Sequence, residues 1–148
     1  MRVDYGVRAL VELAQHEPAI PMRTSEIAGR QKIPEAYLEQ LLVAMHRGGI
    51  IKSRRGPQGG HFLAKEPNQI DLKSVVLALD GNSRPLDCFT QPTDCIHSYS
   101  CAQKDVWRTV EDAIDNVLRT TTIADLANRQ KHGALQKAQF GVLNRMYF

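Results

Sequence analysis

Two short amphipathic segments joined by a tight turn, residues 24–48, constrain the fold of this chain more than any other feature. In the first segment, Thr24 is a suitable N-cap and Glu26 lies in the first turn, where a carboxylate favours the helix dipole. Pro34 suits the first turn of the second segment, because its missing N–H is not needed there. The second segment repeats apolar residues at helical spacing: Leu38, Leu41, Leu42 and Met45. This pattern predicts a helix-turn-helix.

A β-hairpin is predicted directly after these helices. Two short apolar pieces, Ile50–Ser53 and His61–Ala64, flank a turn that is rich in glycine and proline. The tip of this turn carries Arg54 and Arg55. A hairpin that follows a helix-turn-helix in this way is a wing.

Further helices are predicted on both sides of this core. Residues 2–15 form an amphipathic pattern, and a later helix is capped by Asp71 and ends at Gly81. The prediction is therefore a mainly α fold with a small β-hairpin: a winged helix-turn-helix domain over residues 1–82, followed by a long dimerisation helix.

The long helix is predicted over residues 105–126. Its apolar residues recur at intervals of three and four: Val106, Trp107, Val110, Ala113, Ile114, Val117 and Leu118. The stripe is too apolar for a helix in water, so packing on a second copy is favoured over packing on its own domain. Residues 127–148 are weakly patterned and are expected to form a partly ordered tail.

Every cysteine of the chain lies in the segment 83–104: Cys88, Cys95 and Cys101. A disulfide would leave one thiol over, and the close Cys pairs that are usual in structural zinc sites are absent from this spacing. Soft thiolates on a loop without its own core suit an iron–sulfur cluster. Zinc is the second interpretation, and three inert cysteines are the third.

Basic residues concentrate in the first part of the chain. Residues 1–65 hold 10 lysines and arginines against 6 acidic residues, whereas residues 66–148 hold 9 against 10. This imbalance favours a polyanion partner for the first part. On the second helix of the pair, Glu39 and Gln40 face outward, and their side chains can bond cytosine and adenine.

Four stretches together carry a family resemblance: "DYGVRALVELA", "EIAGRQKIPEAYLEQLL", "GGIIKSRRGPQGGHFLA", and three cysteines ahead of "VW". They resemble the winged-helix regulators that include the iron–sulfur cluster regulator IscR, the nitric-oxide-sensing repressor NsrR and the cysteine-metabolism repressor CymR. The resemblance covers about residues 1–126. It implies a homodimer whose long helices cross and, where the three cysteines are present, a [2Fe-2S] or [4Fe-4S] cluster. With it, the predicted DNA-contacting residues are Arg23, Ala36, Glu39, Gln40, Arg54, Arg55 and Gly59.

The fourth cluster ligand differs between members of that family. One member uses a histidine three residues after the last cysteine, where this chain has Lys104, and an ammonium cannot ligate iron. Another uses an aspartate from the partner's first helix, in a motif like "DYGLRAL"; the matching stretch here is "DYGVRAL", which implies Asp4 of the partner subunit. His97 is the alternative ligand, and Asp87 and Asp94 are further rivals.

The sequence thus predicts a cytoplasmic, homodimeric regulator, a repressor in the favoured interpretation, that binds double-stranded operator DNA. Its affinity would be switched by a cluster that senses redox state, nitric oxide or iron supply. No enzyme is expected, because His46 and His61 lack a nearby nucleophile. No membrane span is expected either, because no apolar run of about 18 residues exists. The alternative is a winged-helix protein-interaction module regulated by zinc or by a thiol switch; an electron carrier would leave the helix-turn-helix unexplained.

Overall fold

The structure, a computed structural model, describes residues 2–81 and 101–133. The elements in chain order are α1 Arg2–Gln15, α2 Thr24–Gln31, α3 Glu35–Arg47, β1 Ile51–Arg54, β2 Gly60–Leu63, a 3-10 turn Pro67–Gln69, α4 Leu72–Asp80 and α5 Lys104–Thr120. Residues 123–133 are helical and are called α6. The predicted mainly α fold with one antiparallel hairpin is confirmed. Among the predicted site residues, Cys88, Cys95 and His97, with the rivals Asp87 and Asp94, lie outside the described residues.

A single apolar core joins the first four helices and the hairpin. Burying such side chains removes apolar surface from water, which stabilises the fold by roughly 25 cal/mol for each Å² that is buried. Residues with almost no solvent exposure come from every part of this unit: Leu10, Met22, Ile27, Leu38, Met45, Ile51 and Val75. The core therefore fixes how α3 and the hairpin are oriented relative to one another.

The helix ends follow local chemistry. The Asp71 side chain accepts a hydrogen bond from the Ser74 N–H at 2.8 Å, and Gly81 follows the end of α4, as predicted. Pro34 immediately precedes α3. Thr24 is the first residue of α2 rather than its cap, because Arg23 occupies the extended N-cap position. The Thr24 hydroxyl is therefore available for another contact.

The hairpin is held to the helix-turn-helix by a third extended segment. β1 and β2 pair in antiparallel register, with Ile51 opposite Leu63 and Arg54 opposite Gly60. The Met22 N–H donates to the His61 carbonyl at 2.9 Å, and the His61 N–H donates to the Met22 carbonyl at 2.8 Å. This pair of bonds fixes the wing beside the start of α2.

The helix predicted over 105–126 is divided in the structure. α5 ends at Thr120, and Thr121 accepts a hydrogen bond from the Leu72 N–H at 3.0 Å. Ile123 then donates its N–H to the Ile70 carbonyl at 2.9 Å and has no solvent exposure. The first turns of α6 therefore belong to the core of the winged-helix unit rather than to a separate dimerisation helix or tail.

Candidate nucleic-acid interface and cysteine site

α3 divides into a buried and an exposed face, as helical spacing requires. Its buried residues, Leu38, Leu41, Leu42 and Met45, pack into the core. Ala36, Glu39 and Gln40 are all exposed on the opposite side. The structure therefore presents these three predicted DNA-contacting residues together on one surface of α3, whose side chains can meet base edges in a major groove.

The three predicted arginines of the interface have different environments. An Arg23 Nη2 donates to the Pro57 carbonyl, and Arg54 Nη2 donates to the Gln58 carbonyl at 2.9 Å. Both guanidinium groups thus help to shape the hairpin turn. Arg55 is exposed and has no hydrogen bond or ion pair with any residue of 2–81 or 101–133. Of the three guanidinium groups, that of Arg55 is therefore the one with no partner among the described residues.

Gly59, also predicted to contact DNA, has a backbone role in the same turn. It is buried, and its N–H donates to the Gly56 carbonyl at 2.9 Å. A Cβ at this position would lie 2.2 Å from the Arg54 carbonyl oxygen, which no real contact allows. Gly59 is therefore required for the close turn that carries Arg55.

Arg30 is another basic residue of this part of the chain, and its exposed guanidinium is engaged by carboxylates of the protein itself. It forms ion pairs with Glu12 at 3.0 Å and with Glu26 at 2.7 Å. These pairs connect α1 to α2. A guanidinium held by two carboxylates has little remaining attraction for a phosphate.

Sequence reasoning missed the arrangement around His61. Its Nε2 lies 3.0 Å from the Thr24 hydroxyl, and its Nδ1 lies 2.9 Å from the Ser53 hydroxyl. Burial lowers the pKa of His61, the nearby His46 lowers it further, and Glu39 acts in the opposite direction. The alternation of strand residues gave no signal for this network, because Thr24 is distant in sequence.

The two predicted cluster ligands within the described ranges are both accessible. Asp4 is on the first turn of α1, its side chain is 64% exposed, and its ion pair with Arg8 is long at 3.8 Å. Arg8 also donates to the Gln31 carbonyl, so Asp4 is not its principal partner. Cys101 is a half-buried free thiol. In residues 2–81 and 101–133, no three His, Cys, Asp or Glu side chains are grouped as a metal site.

α5 has one side on the winged-helix unit and an apolar side that faces away from it. Lys73 of α4 donates a hydrogen bond to Asp115, which also pairs with Arg119 at 2.5 Å. No residue of α5 is buried. The uncovered stripe consists of Val106, Val110, Ile114 and Val117, with exposed fractions of 63%, 37%, 41% and 58%.

Comparison with known proteins decides the family. Residues 1–129 match the Rrf2 family, described as iron-dependent transcriptional regulators. The chain belongs to the Rrf2 family. It is 32% identical over 124 residues to the HTH-type transcriptional regulator CymR of Bacillus subtilis, covering 84% of this chain and 85% of that protein.

Solved structures of Rrf2 regulators share the fold. The structure of B. subtilis CymR, described as the global cysteine regulator, has a TM-score of 0.76 at 30% identity and covers 87% of this chain and 95% of that one. T. potens IscR has a TM-score of 0.73 at 34% identity, with 90% and 88% covered. This chain is therefore a DNA-binding transcriptional regulator and not an enzyme. Among the helices of its described residues, none is both long and apolar enough to cross a membrane.

Proposed function

We propose that this Rrf2 protein is a homodimeric repressor whose affinity for operator DNA is switched by an iron–sulfur cluster. The cluster ligands are Cys88, Cys95 and Cys101 of one subunit and Asp4 of the partner subunit. The cluster is a [4Fe-4S] or [2Fe-2S] centre that senses redox state, nitric oxide or iron supply.

The uncovered face of α5 is the observation that carries the proposal. Asp115 attaches the opposite side of this helix to α4, and the valine and isoleucine stripe is left uncovered by the winged-helix residues that the structure describes. An apolar stripe at heptad-like spacing is typically covered by an equivalent helix. A second copy of α5, packed on this stripe in an antiparallel or crossed orientation, would join two chains into one molecule. That molecule would have two DNA-reading surfaces, one on the α3 of each chain.

Cys101 connects the proposed cluster segment to that helix. Its carbonyl accepts a hydrogen bond from the Lys104 N–H at 3.2 Å, in the turn that opens α5. A ligand on the Cys101 thiol therefore acts directly on the first turn of α5. The half-buried Cys101 thiol is the kind of ligand that iron–sulfur clusters use, and the Asp4 carboxylate is exposed and could serve as a fourth, oxygen ligand.

When bound, the cluster supplies a centre that oxidants, nitric oxide or iron shortage can damage. A carboxylate oxygen is a hard ligand beside soft thiolates, so Asp4 should be the ligand released first. Tyr5, the next residue, packs edge-on against Tyr37 of α3 with ring centroids 5.9 Å apart. Holding or releasing Asp4 therefore acts on α1 and, through the two rings, on the DNA-reading helix.

The proposal is tested by preparing the full chain without oxygen and measuring iron and acid-labile sulfide. The expected protein is brown and contains both, and Cys101→Ala abolishes both. Asp4→Ala should give a cluster that is lost faster on exposure to air, because the fourth ligand is missing. Asp80→Ala is the matched control, since Asp80 is also a partly exposed carboxylate in a long ion pair, 3.6 Å from Arg2.

Other outcomes would support different interpretations. A colourless protein that contains zinc would favour the interaction module regulated by zinc. Equal cluster lifetimes in Asp4→Ala and the unmodified chain would move the fourth ligand to His97 or to the aspartates of the cysteine segment.

A further inference from the structure

The imidazole of His61 is fixed at the junction of three elements. Its two ring nitrogens contact the hydroxyls of Thr24, on α2, and Ser53, on β1, at 3.0 and 2.9 Å. Its backbone N–H and carbonyl are both paired with Met22. The ring is therefore held in one orientation while its hydroxyl partners remain at the protein surface.

These groups line a groove between α3 and the wing, with a volume of about 710 Å³. Its charged and titratable groups are Glu39, His46 and Arg47 from α3, Arg55 from the hairpin turn, and His61 itself. The groove thus contains two guanidinium groups and one carboxylate, so its fixed charge is positive. Because Glu39 and Arg55 also belong to the exposed surface described above, the groove opens where DNA would lie.

The protonation of His61 determines what the two hydroxyls can offer to a ligand. A neutral imidazole has one donor and one acceptor nitrogen, so one of the two hydroxyls must donate its hydrogen to the ring. An imidazolium has two donors, so both hydroxyl oxygens accept from the ring. Both hydroxyl hydrogens are then free to be donated to an anion in the groove.

We propose that this groove binds a phosphate group of the DNA backbone through the hydroxyls of Thr24 and Ser53, and that His61 takes up a proton when DNA binds. The inference rests on the DNA-binding function of the chain, and it is independent of the iron–sulfur cluster. It makes His61 a positioning residue that couples DNA affinity to pH.

The direction of the effect follows from the electrostatics. In the free chain, burial and the neighbouring His46 lower the pKa of His61. A phosphate in the groove adds negative charge and two acceptors for the freed hydroxyls, so the pKa of His61 is higher in the complex than in the free chain. The gain in affinity is complete below the pKa of the free chain and is lost as pH rises through the pKa of the complex. One proton per groove gives at most about a tenfold change in the dissociation constant per pH unit.

The test uses the full chain, prepared without oxygen, and a labelled duplex operator fragment recovered by capture from genomic DNA. Fluorescence anisotropy gives the dissociation constant from about pH 6 to about pH 8, where histidine titrates, at one ionic strength. The unmodified chain should bind more tightly as pH falls. His61→Gln should remove this dependence, because an amide keeps one donor and one acceptor at every pH, as the neutral ring does. His132→Gln is the matched control, since His132 is exposed on α6, and it should keep the dependence.

Each result has a defined meaning. No binding at any pH would overturn the DNA-binding function itself. Binding without a pH dependence, or the same dependence in His61→Gln, would overturn the coupling and leave DNA binding intact.

Two measurements do not depend on the folding of His61→Gln. Ser53→Ala should bind less tightly than the unmodified chain, and the factor lost should be larger at low pH, where both hydroxyl hydrogens are free, than at high pH. The NMR-monitored pKa of His61 should rise when DNA is added, and an unchanged pKa would contradict the proposal.

Discussion

Gly6 shows how one residue sets the distance between two helices. It lies in α1, where a glycine is normally unfavourable, and a Cβ there would lie 2.3 Å from Leu79 Cδ1 of α4. Leu79 is only 3% exposed, so its side chain cannot rotate away without displacing other core atoms. The glycine of "DYG" is therefore explained by packing, and of that motif only Asp4 is left exposed.

Gly6→Ala should lower the free energy of unfolding by about 1–3 kcal/mol through overpacking. Gly29→Ala is the matched control: Gly29 lies in α2 and nothing in the described residues comes within 4 Å of its Cβ position. That variant should be more stable by roughly 0.5–1 kcal/mol. Urea titration measures both, and equal effects of the two substitutions would contradict the packing explanation.

Arg55 is the residue from which we expect the strongest sequence-independent contribution to DNA binding. Arg55→Ala should weaken binding and reduce the slope of log affinity against log salt by about one phosphate contact. Arg30→Ala makes the same change in charge, but its guanidinium is engaged by Glu12 and Glu26. Anisotropy titrations over a range of salt measure both slopes, and an unchanged slope for Arg55→Ala would exclude a phosphate contact from this residue.

The environments of the arginines mark the limit of sequence reasoning at this scale. The count of charged residues along the sequence identifies the basic first part of the chain. It does not distinguish arginines that are free to bind DNA from arginines that are paired within the protein. Helical spacing indicates the Glu26–Arg30 pair, but the pairing of Arg30 with Glu12 of another helix and the bond from Arg54 to a carbonyl of the hairpin turn have no sequence signal. Such pairings depend on side-chain distances in the folded chain, which no residue pattern contains.

At the scale of elements, α5 is the helix whose exposed stripe predicts a second subunit. Val110→Glu should dissociate the dimer, because it places a charge in the centre of the stripe. Arg108→Glu introduces the same side chain on the exposed polar side of α5 and should leave the dimer intact. Light scattering after size-exclusion chromatography measures the mass of each. A dimer in Val110→Glu at low micromolar concentration would contradict an interface on this face.

The attachment of α5 to α4 should depend on pH. Hydrogen bonds from Lys73 and then from Arg119 lower the pKa of Asp115 below its ordinary 3.8. The carboxylate therefore stabilises the fold above pH 3.8, and this contribution is lost as pH falls through the lowered pKa.

Asp115→Asn should thus be less stable than the unmodified chain at neutral pH, and this difference should shrink as the solution is acidified below that value. Asp112→Asn, on an exposed position of the same helix, is the control and should change little at either pH. Urea titrations at several pH values measure the difference. A difference that stays constant with pH would show that the Asp115 charge does not hold α5 in place.

Helical periodicity alone misses the boundary between α5 and α6, although the sequence carries a local signal for it. No apolar residue lies between Leu118 and Ile123, and Thr122 and Asp125 form a capping box in which each side chain accepts the other residue's N–H. Long-range pairing fixes the break in the folded chain, where Thr121 and Ile123 bond to the backbone on either side of Asp71. By contrast, α1, α3 and α4 follow from their own sequences, because buried stripes and end signals agree in each.

At the scale of the whole molecule, the proposed switch requires two properties to be coupled: the state of the cysteine segment and the spacing of two DNA-reading surfaces. Cys101 adjoins the proposed dimer helix, and Asp4 adjoins the Tyr5–Tyr37 contact with α3. A ligand set that spans two subunits would therefore restrain both reading surfaces at once. A dimer that reads two half-sites is sensitive to a small change in their separation.

The most direct test measures the affinity of one anaerobic preparation for the same operator fragment before and after the cluster is removed. Iron and sulfide are quantified in both samples, and light scattering confirms that both are dimers. The proposed switch predicts a change in the dissociation constant of roughly 5–150-fold, the usual range of allosteric coupling. Equal affinities of the iron-loaded and iron-free dimers would contradict it.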